Sequence, residues 1–299
     1  MTQPDLAPGM AEALAESDRL KAAGDEAAEA AFWAEGTPDV PTRDVTYPGA
    51  DGQPRRARLY MGGVAAPGPI LLYIHGGGWT GGSIEANDPA CRALAHESDW
   101  NVLSISYRLA PEHPYPAGLA DCLAALEWLM HSRPPLGHHP ALIAVGGASA
   151  GANLALASVV AQPGAFIGAL LFYGVYGRDF DTESYRQHAD GPGLTRARMQ
   201  ELFAQYDPDE TPDPEVTPLI YDRYEVGSAC LIAAECDVLR SDSEAMAEVL
   251  RRQGIRTDLH VEPGVTHGFI NRGRLVPAAR DCLTRGAAYL NTIHPKEYP

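Results

Sequence analysis

Gly147-Ala148-Ser149-Ala150-Gly151 is a G-x-S-x-G pentapeptide, and its surroundings decide how the chain folds. The apolar run Ala141-Leu142-Ile143-Ala144-Val145 precedes it, separated only by Gly146, and the run Ala152-Asn153-Leu154-Ala155-Leu156-Ala157 that follows suits a helix. Strand, tight turn and helix in that order form the setting in which a serine is held out on a strained turn as a nucleophile. The flanking glycines fit, because side chains two positions away would collide with the neighbouring strand and helix. Ser149 is therefore the candidate nucleophile, with an acyl carbon as its target.

Working outward, Ile70–Ile74, Asn101–Ser106, Ala141–Val145, Ile167–Phe172, Cys230–Ala234 and Thr257–Val261 read as buried strands. Helix-like runs at 87–97, 117–131, 151–161, 241–253 and 275–292 separate most of them. The alternation predicts an α/β fold, a mainly parallel sheet with helices on both faces. Upstream, Arg43–Tyr47 and Ala57–Met61 read as an antiparallel pair around Gly49-Ala50-Asp51-Gly52.

Two regions break the rhythm. Residues 1–40 are rich in Ala and Glu, with Met10, Leu14, Leu20, Ala27, Ala31 and Phe32 as an apolar face; Gly24 interrupts this helical segment and Gly36-Thr37-Pro38 closes it. In the long interval 173–229, Met199, Leu202, Phe203 and Tyr206 fall at i, i+3, i+4 and i+7, one helical face, with Thr195 as N-cap. Pro208, Pro212, Pro214 and Pro218 then exclude further regular structure. An insertion beyond a strand's carboxyl end lies where open α/β sheets bind ligands, so it reads as a cap. The expected division is an N-terminal cap segment at 1–40, a first core part at 41–175, a cap insertion at 176–227 and a second core part at 228–299.

A second glycine cluster, His75-Gly76-Gly77-Gly78-Trp79, follows the strand Ile70–Ile74. Three consecutive glycines are costly in chain entropy, so a tight backbone feature is expected to need them. Its physical use is an oxyanion hole: preorganised backbone N–H groups stabilise charge on a carbonyl oxygen under attack, each contributing roughly 3 kcal/mol. The amide of Ala150, at the start of a helix, is expected to join them.

A serine hydroxyl needs a base, and the expected chain order is serine, acid, histidine. His267 lies in the glycine-bounded stretch Pro263-Gly264-Val265-Thr266-His267-Gly268-Phe269, read as a loop after the last strand. His75 belongs to the glycine loop and reads as a brace, His113 sits among prolines, and His138 and His139 have no ligand partner at metal spacing. The acid follows the strand Cys230–Ala234: Asp237 is the first candidate, with Glu235 and Asp242 as rivals.

Composition sets limits. The chain has 299 residues, 45% hydrophobic, enough for one large domain. Its formal net charge of −16 argues against nucleic acid and anionic membrane surfaces as partners. No apolar run is long enough to span a bilayer, and Met1-Thr2-Gln3-Pro4-Asp5 does not open a signal peptide. Cys91, Cys122, Cys230, Cys236 and Cys282 are scattered and odd in number, which reads as free buried thiols in a reducing cytoplasm.

These motifs together resemble the hormone-sensitive-lipase-like branch of the α/β-hydrolases. The resemblance rests on His75-Gly76-Gly77-Gly78-Trp79, the stretch from Tyr107-Arg108-Leu109-Ala110-Pro111 to Tyr115-Pro116-Ala117, Gly147–Gly151, Asp237-Val238-Leu239-Arg240 and His267-Gly268-Phe269, in order and spacing, across about residues 40–290. It implies an eight-stranded, mostly parallel sheet, a cap built from the two irregular regions, and oxyanion amides from Gly77, Gly78 and Ala150. Ala148 and Ala152 depart from the family, which usually has Asp or Thr at the first position and commonly Gly at the second. The expected activity is a carboxylesterase for short-chain acyl esters, with Ser149, His267 and Asp237 as the triad and Trp79, Tyr176 and Phe203 around the acyl pocket. An amidase or formamidase on the same machinery is the alternative. A non-catalytic small-molecule receptor of this fold is disfavoured, since all three triad positions are filled. No cofactor or metal is implied, and the edge strand and last helix are compatible with a homodimer.

Overall fold

The computed structural model describes residues 5–63, 68–131 and 140–293; His138 and His139 lie outside them. Eight strands form one sheet in the described residues: β1 (Thr42–Pro48), β2 (Pro54–Tyr60), β3 (Ile70–Ile74), β4 (Asn101–Ile105), β5 (Ile143–Ala148), β6 (Ala169–Phe172), β7 (Ser228–Cys236) and β8 (Arg256–Thr266). Their order is β1-β2-β4-β3-β5-β6-β7-β8. β1, β2 and β4 pair antiparallel; every pair from β4 onward is parallel. The helices are α1 (Met10–Ala23), α2 (Glu26–Ala34), α3 (Asp88–Glu97), α4 (Ala117–His131), α5 (Ala150–Ala161), α6 (Glu183–Gln187), α7 (Arg196–Tyr206), α8 (Arg240–Arg252) and α9 (Pro277–Ile293).

Strands β3 to β6 are buried along their whole length, as expected of parallel strands covered on both faces. Side-chain alternation divides the core. Ile70, Leu72 and Ile74 join a cluster with α4, α5 and α8, while Leu71 and Tyr73 join one with α1, α3 and α9.

Strand order reverses at β3, which has β4 on one side and β5 on the other. The crevice beyond the carboxyl ends at such a reversal is where open α/β sheets take ligands. The glycine loop leaves β3 there and Ser149 leaves β5 beside it.

β8 is longer than the sequence suggests and takes in Pro263–Thr266, expected to be loop. A register shift opposite Ala234 and Cys236 accommodates the proline, which has no N–H to give. Gly264, at φ +65°, donates its N–H to Glu235 Oε2 at 2.7 Å and accepts from the Ala7 amide at 2.7 Å. The long interval holds α7 where periodicity places it, capped by Thr195 Oγ1 accepting from the Arg198 amide at 3.1 Å. It also holds the short α6, which no periodicity announced.

Candidate active site

Ser149 closes β5 with φ 58° and ψ −122°, a conformation that non-glycine residues rarely adopt. The glycines at either side permit it. A Cβ on Gly147 or Gly151 would run into the carbonyl oxygen of Ile74, on the neighbouring strand. The turn therefore presses β5, α5 and β3 together and leaves the serine side chain projecting.

His267 follows β8 directly, and Gly268 at φ 79° turns the chain away behind it. Its Nε2 lies 2.8 Å from Ser149 Oγ, and its Nδ1 lies 2.7 Å from Asp237 Oδ2. A carboxylate only accepts, so Nδ1 is the donor to Asp237 and Nε2 the acceptor from the serine hydroxyl. Asp237 is 2% exposed, and its other oxygen accepts from the Leu239 amide at 3.1 Å. The carboxylate is thereby fixed in orientation, and the imidazole with it. The edge of the Tyr173–His267 ring pair, 4.9 Å between centroids, closes the other side of the base.

The two rival acids are engaged elsewhere. Glu235 holds the Gly264 amide. Asp242, on α8, accepts from the amides of Tyr176 and Gly177 at 2.8 and 2.9 Å, and burial pushes its carboxyl up to about 7. It fastens the chain leaving β6.

The glycine loop packs against the elbow: a Cβ on Gly76 would lie 2.7 Å from the Ala148 carbonyl oxygen and 3.3 Å from Ser149 Cβ. Gly77 and Gly78 line one cavity with Ser149, and Ala150 opens α5, where first-turn amides lack intrahelical acceptors. His75 braces the loop. Its ring is buried, stacks on Tyr107 at 4.4 Å and sits with Nδ1 2.9 Å from the Gly76 carbonyl oxygen. Burial pulls its pKa down to about 4, so it stays neutral near pH 7.

The cavity over Ser149 measures about 410 Å³. Tyr173, Val175, Leu194, Met199 and Leu202 supply its apolar wall. Trp79, Tyr176 and Phe203, expected around the acyl pocket, are not among its lining residues. Trp79 lies flat on Tyr206, with centroids 4.3 Å apart and planes 5° apart, and packs against Phe203 at 5.0 Å. Tyr176 is fully buried on the Asp242 side, and Val175 takes the cavity face instead. All four periodic residues of α7 are buried, but Met199 and Leu202 face the cavity while Phe203 and Tyr206 anchor the helix to Trp79.

One positioning residue escaped the sequence reading. Asn153, fully buried on α5, accepts from Trp79 Nε1 at 3.2 Å and donates to the carbonyls of Val175 and Val216 at 3.0 Å each. The available signal was a lone amide within a helix otherwise apolar from Ala152 to Ala157. Among the described residues, no group of His, Cys, Asp or Glu is gathered as a metal site requires, and no helix is long and apolar enough to cross a membrane.

Known proteins resemble this chain in sequence and in fold. A family model of the alpha/beta hydrolase fold matches residues 71–271. Carboxylesterase NlhH of Mycobacterium tuberculosis is 37% identical over 264 residues, covering 84% of this chain and 82% of the relative. Ethyl acetate hydrolase of Pseudomonas putida is 31% identical over 251 residues, covering 80% and 79%. The solved structure of an esterase from Pyrobaculum calidifontis superposes with a TM-score of 0.83 at 31% identity, covering 89% of this chain and 90% of that one. The chain belongs to the α/β-hydrolase fold family and is a serine hydrolase.

Proposed function

We propose that the protein is a carboxylesterase acting on esters with short acyl chains. The observation that carries this reading is the relay Asp237–His267–Ser149, at 2.7 and 2.8 Å, ending on a strained serine that opens into the cavity. His267 Nε2 takes the hydroxyl proton as Ser149 Oγ bonds to the ester carbon. The carbonyl oxygen, now negative, is held by the amides of Gly77, Gly78 and Ala150. The carbon–alkoxy bond then breaks, His267 returns the proton to the leaving alcohol, and an acyl-serine remains. Water attacks that acyl group with His267 again as base. The bond from Ser149 Oγ to the acyl carbon breaks, the acid leaves, and His267 returns the proton taken from water to Ser149.

Short chains are favoured because α7 comes down onto the glycine loop. Leu202 stands where a Cβ of Gly78 would fall, 2.6 Å from its Cδ1, and limits the room beside the oxyanion site. In this reading α1–α2 and the 176–227 segment act as the cap over a core formed by 41–175 and 228–299. The relatives named as carboxylesterase and ethyl acetate hydrolase support ester substrates. Five free, buried cysteines suit a reducing compartment.

Turnover of p-nitrophenyl acetate, butyrate and decanoate by wild type and Ser149→Ala tests the proposal. The expected result is activity that falls from the short esters to decanoate and is lost in the variant. Equal inactivity of both proteins would overturn it, and a peak on decanoate would overturn the chain-length preference. Faster cleavage of butyranilide than of the butyrate ester would give the amidase reading precedence.

A further inference from the structure

The charges around the cavity run against the charge of the chain. The sequence carries 39 acidic and 23 basic residues, yet apart from His267 the charged residues lining the active-site cavity are Lys21 and Arg198. No carboxylate is among its described lining residues. Arg198 is paired with Glu201 at 2.6 Å, whereas Lys21, on α1, has no ion pair among the described residues.

Lys21 also lines a second chamber of about 340 Å³ between α1–α2 and the segment after His267. Gly82, Ala86, Gly268 and Asn271 belong to the walls of both spaces, so the two adjoin. Trp33, Ala30 and Ala86 give the second chamber apolar wall, and Arg272 stands in it. Arg272 Nη1 is enclosed and has no hydrogen-bond partner, and among the described residues the guanidinium makes no hydrogen bond or ion pair. Elsewhere the molecule pairs such groups: Arg108 lies on Asp121 at 2.9 Å and Arg178 on Asp207 at 2.8 Å. A buried cation left alone is unfavourable until something negative joins it. Burial lowers the pKa of Arg272, and the electrostatic influence of Tyr173, Glu29 and Asp18 works against that shift. Glu26 and Glu29 also stand on the chamber wall, so the space suits one negative charge on an organic chain, not a polyanion.

We propose that the substrate ester carries a carboxylate at its far end, seated in the second chamber against Arg272 and Lys21 while the ester carbonyl sits at Ser149. The inference rests on the ester-hydrolase reading above and gives it a substrate class. A guanidinium meets a carboxylate with two parallel N–H groups, and the apolar walls cover the intervening alkyl chain. The carboxylate can belong to the acyl part, as in a half-ester of a dicarboxylic acid, or to the alcohol part, as in an acyloxy acid.

The test compares kcat/KM for monoethyl esters of linear dicarboxylic acids, and for ω-acetoxy carboxylic acids, each series running from four to ten carbons. Every compound is set against its uncharged ethyl ester counterpart at low ionic strength. In one series the charged ester should exceed the uncharged one by about tenfold or more at an optimal length. That ratio should fall to near parity in Arg272→Gln, survive in part in Arg272→Lys, and shrink in Lys21→Gln. A readout on wild type alone guards against a misfolded variant: the dicarboxylate of the optimal length should inhibit p-nitrophenyl acetate hydrolysis more strongly than the monocarboxylate of equal length. A preference for the uncharged ester at every length in both series overturns the inference, as does a charge preference that survives Arg272→Gln. Ready turnover of p-nitrophenyl acetate without charge preference overturns this inference alone, whereas no turnover of any ester overturns the hydrolase reading with it.

Discussion

Glu235 and Asp237 stand two positions apart where β7 ends, and their carboxylates serve two parts of one segment: Glu235 accepts from the Gly264 amide at 2.7 Å, Asp237 from His267 Nδ1 at 2.7 Å. One acid shapes the strand that delivers the base, and the other aims the base itself. Asp237→Asn should lower kcat on p-nitrophenyl acetate by about 10⁴-fold, because an amide that donates to Nδ1 holds the imidazole in the wrong tautomer. Glu235→Gln keeps an acceptor for Gly264, and its carboxylate is exposed, so it should cost only a few-fold. Equal losses in the two variants would show that Glu235 acts in the chemistry.

The buried ring of His75 predicts an acid-sensitive fold. Its pKa of about 4 in the folded protein lies below the ordinary 6.5 that the unfolded chain restores. Between those values the unfolded chain binds a proton that the folded one refuses. The stability contributed is full above pH 6.5 and is lost as pH falls toward 4, by about 3 kcal/mol. Urea unfolding at pH 7 and pH 4 should therefore show a smaller drop in His75→Gln than in wild type, by roughly that amount. Identical drops would mean that the ring is reached by protons without unfolding.

Gly78 marks where α7 touches the glycine loop. At φ 63°, with Leu202 Cδ1 2.6 Å from where a Cβ would stand, Gly78→Ala meets both backbone strain and a side-chain clash. The strain costs about 1 kcal/mol, and displacement of the loop amide should lower kcat/KM by about tenfold or more. Leu202 can be removed, so the double variant Gly78→Ala with Leu202→Ala should recover part of that loss. Kinetics of the two single variants and the double variant form a cycle; strict additivity would show that the loop and α7 do not press on one another.

The elements most legible in the sequence were those whose chemistry is contiguous. Ser149, the Gly76–Gly78 loop, Asp237 and His267 each sit within a few residues of a strand end, so strand order alone suggests their meeting. The buried face of α7 was legible from its 3.6-residue period, but a period shows which residues are covered and not by what. Trp79 turns onto Tyr206 because its own backbone lies at φ 59°, which no pattern of residue types displays. The cavity wall consequently passes to Tyr173, Val175, Met199 and Leu202. The extension of β8 through Pro263 was hidden because a proline beside a glycine reads as a break, and only the bulge with Glu235 beneath it lets the strand continue. Of the departures, Ala148 ends β5 on the cavity wall beside Ser149, and Ala152 is fully buried in the first turn of α5.

Asn153 joins four parts of the molecule that the sequence keeps far apart. Its amide links α5, one turn beyond Ser149, to Trp79 of the glycine loop, to Val175 on the cavity wall and to Val216 in the segment after α7. Its oxygen accepts once and its two N–H groups each donate, so every bond it can make from nitrogen is made. Asn153→Leu keeps the approximate volume but leaves two carbonyls and one indole N–H buried without partners. At about 1 kcal/mol or more for each orphaned group, the loss of stability should be about 3 kcal/mol or more by urea denaturation. Asn153→Asp should fare no better, because a carboxylate would face two carbonyl oxygens. The functional consequence separates this residue from an ordinary core contact. With Trp79 released the glycine loop loses its anchor to α5, so kcat on p-nitrophenyl acetate should fall while KM changes little, the mark of a lost transition-state interaction rather than a lost substrate contact. A variant as unstable as expected but with wild-type kcat would show that Asn153 ties α5 to Val175 and Val216 without setting the loop.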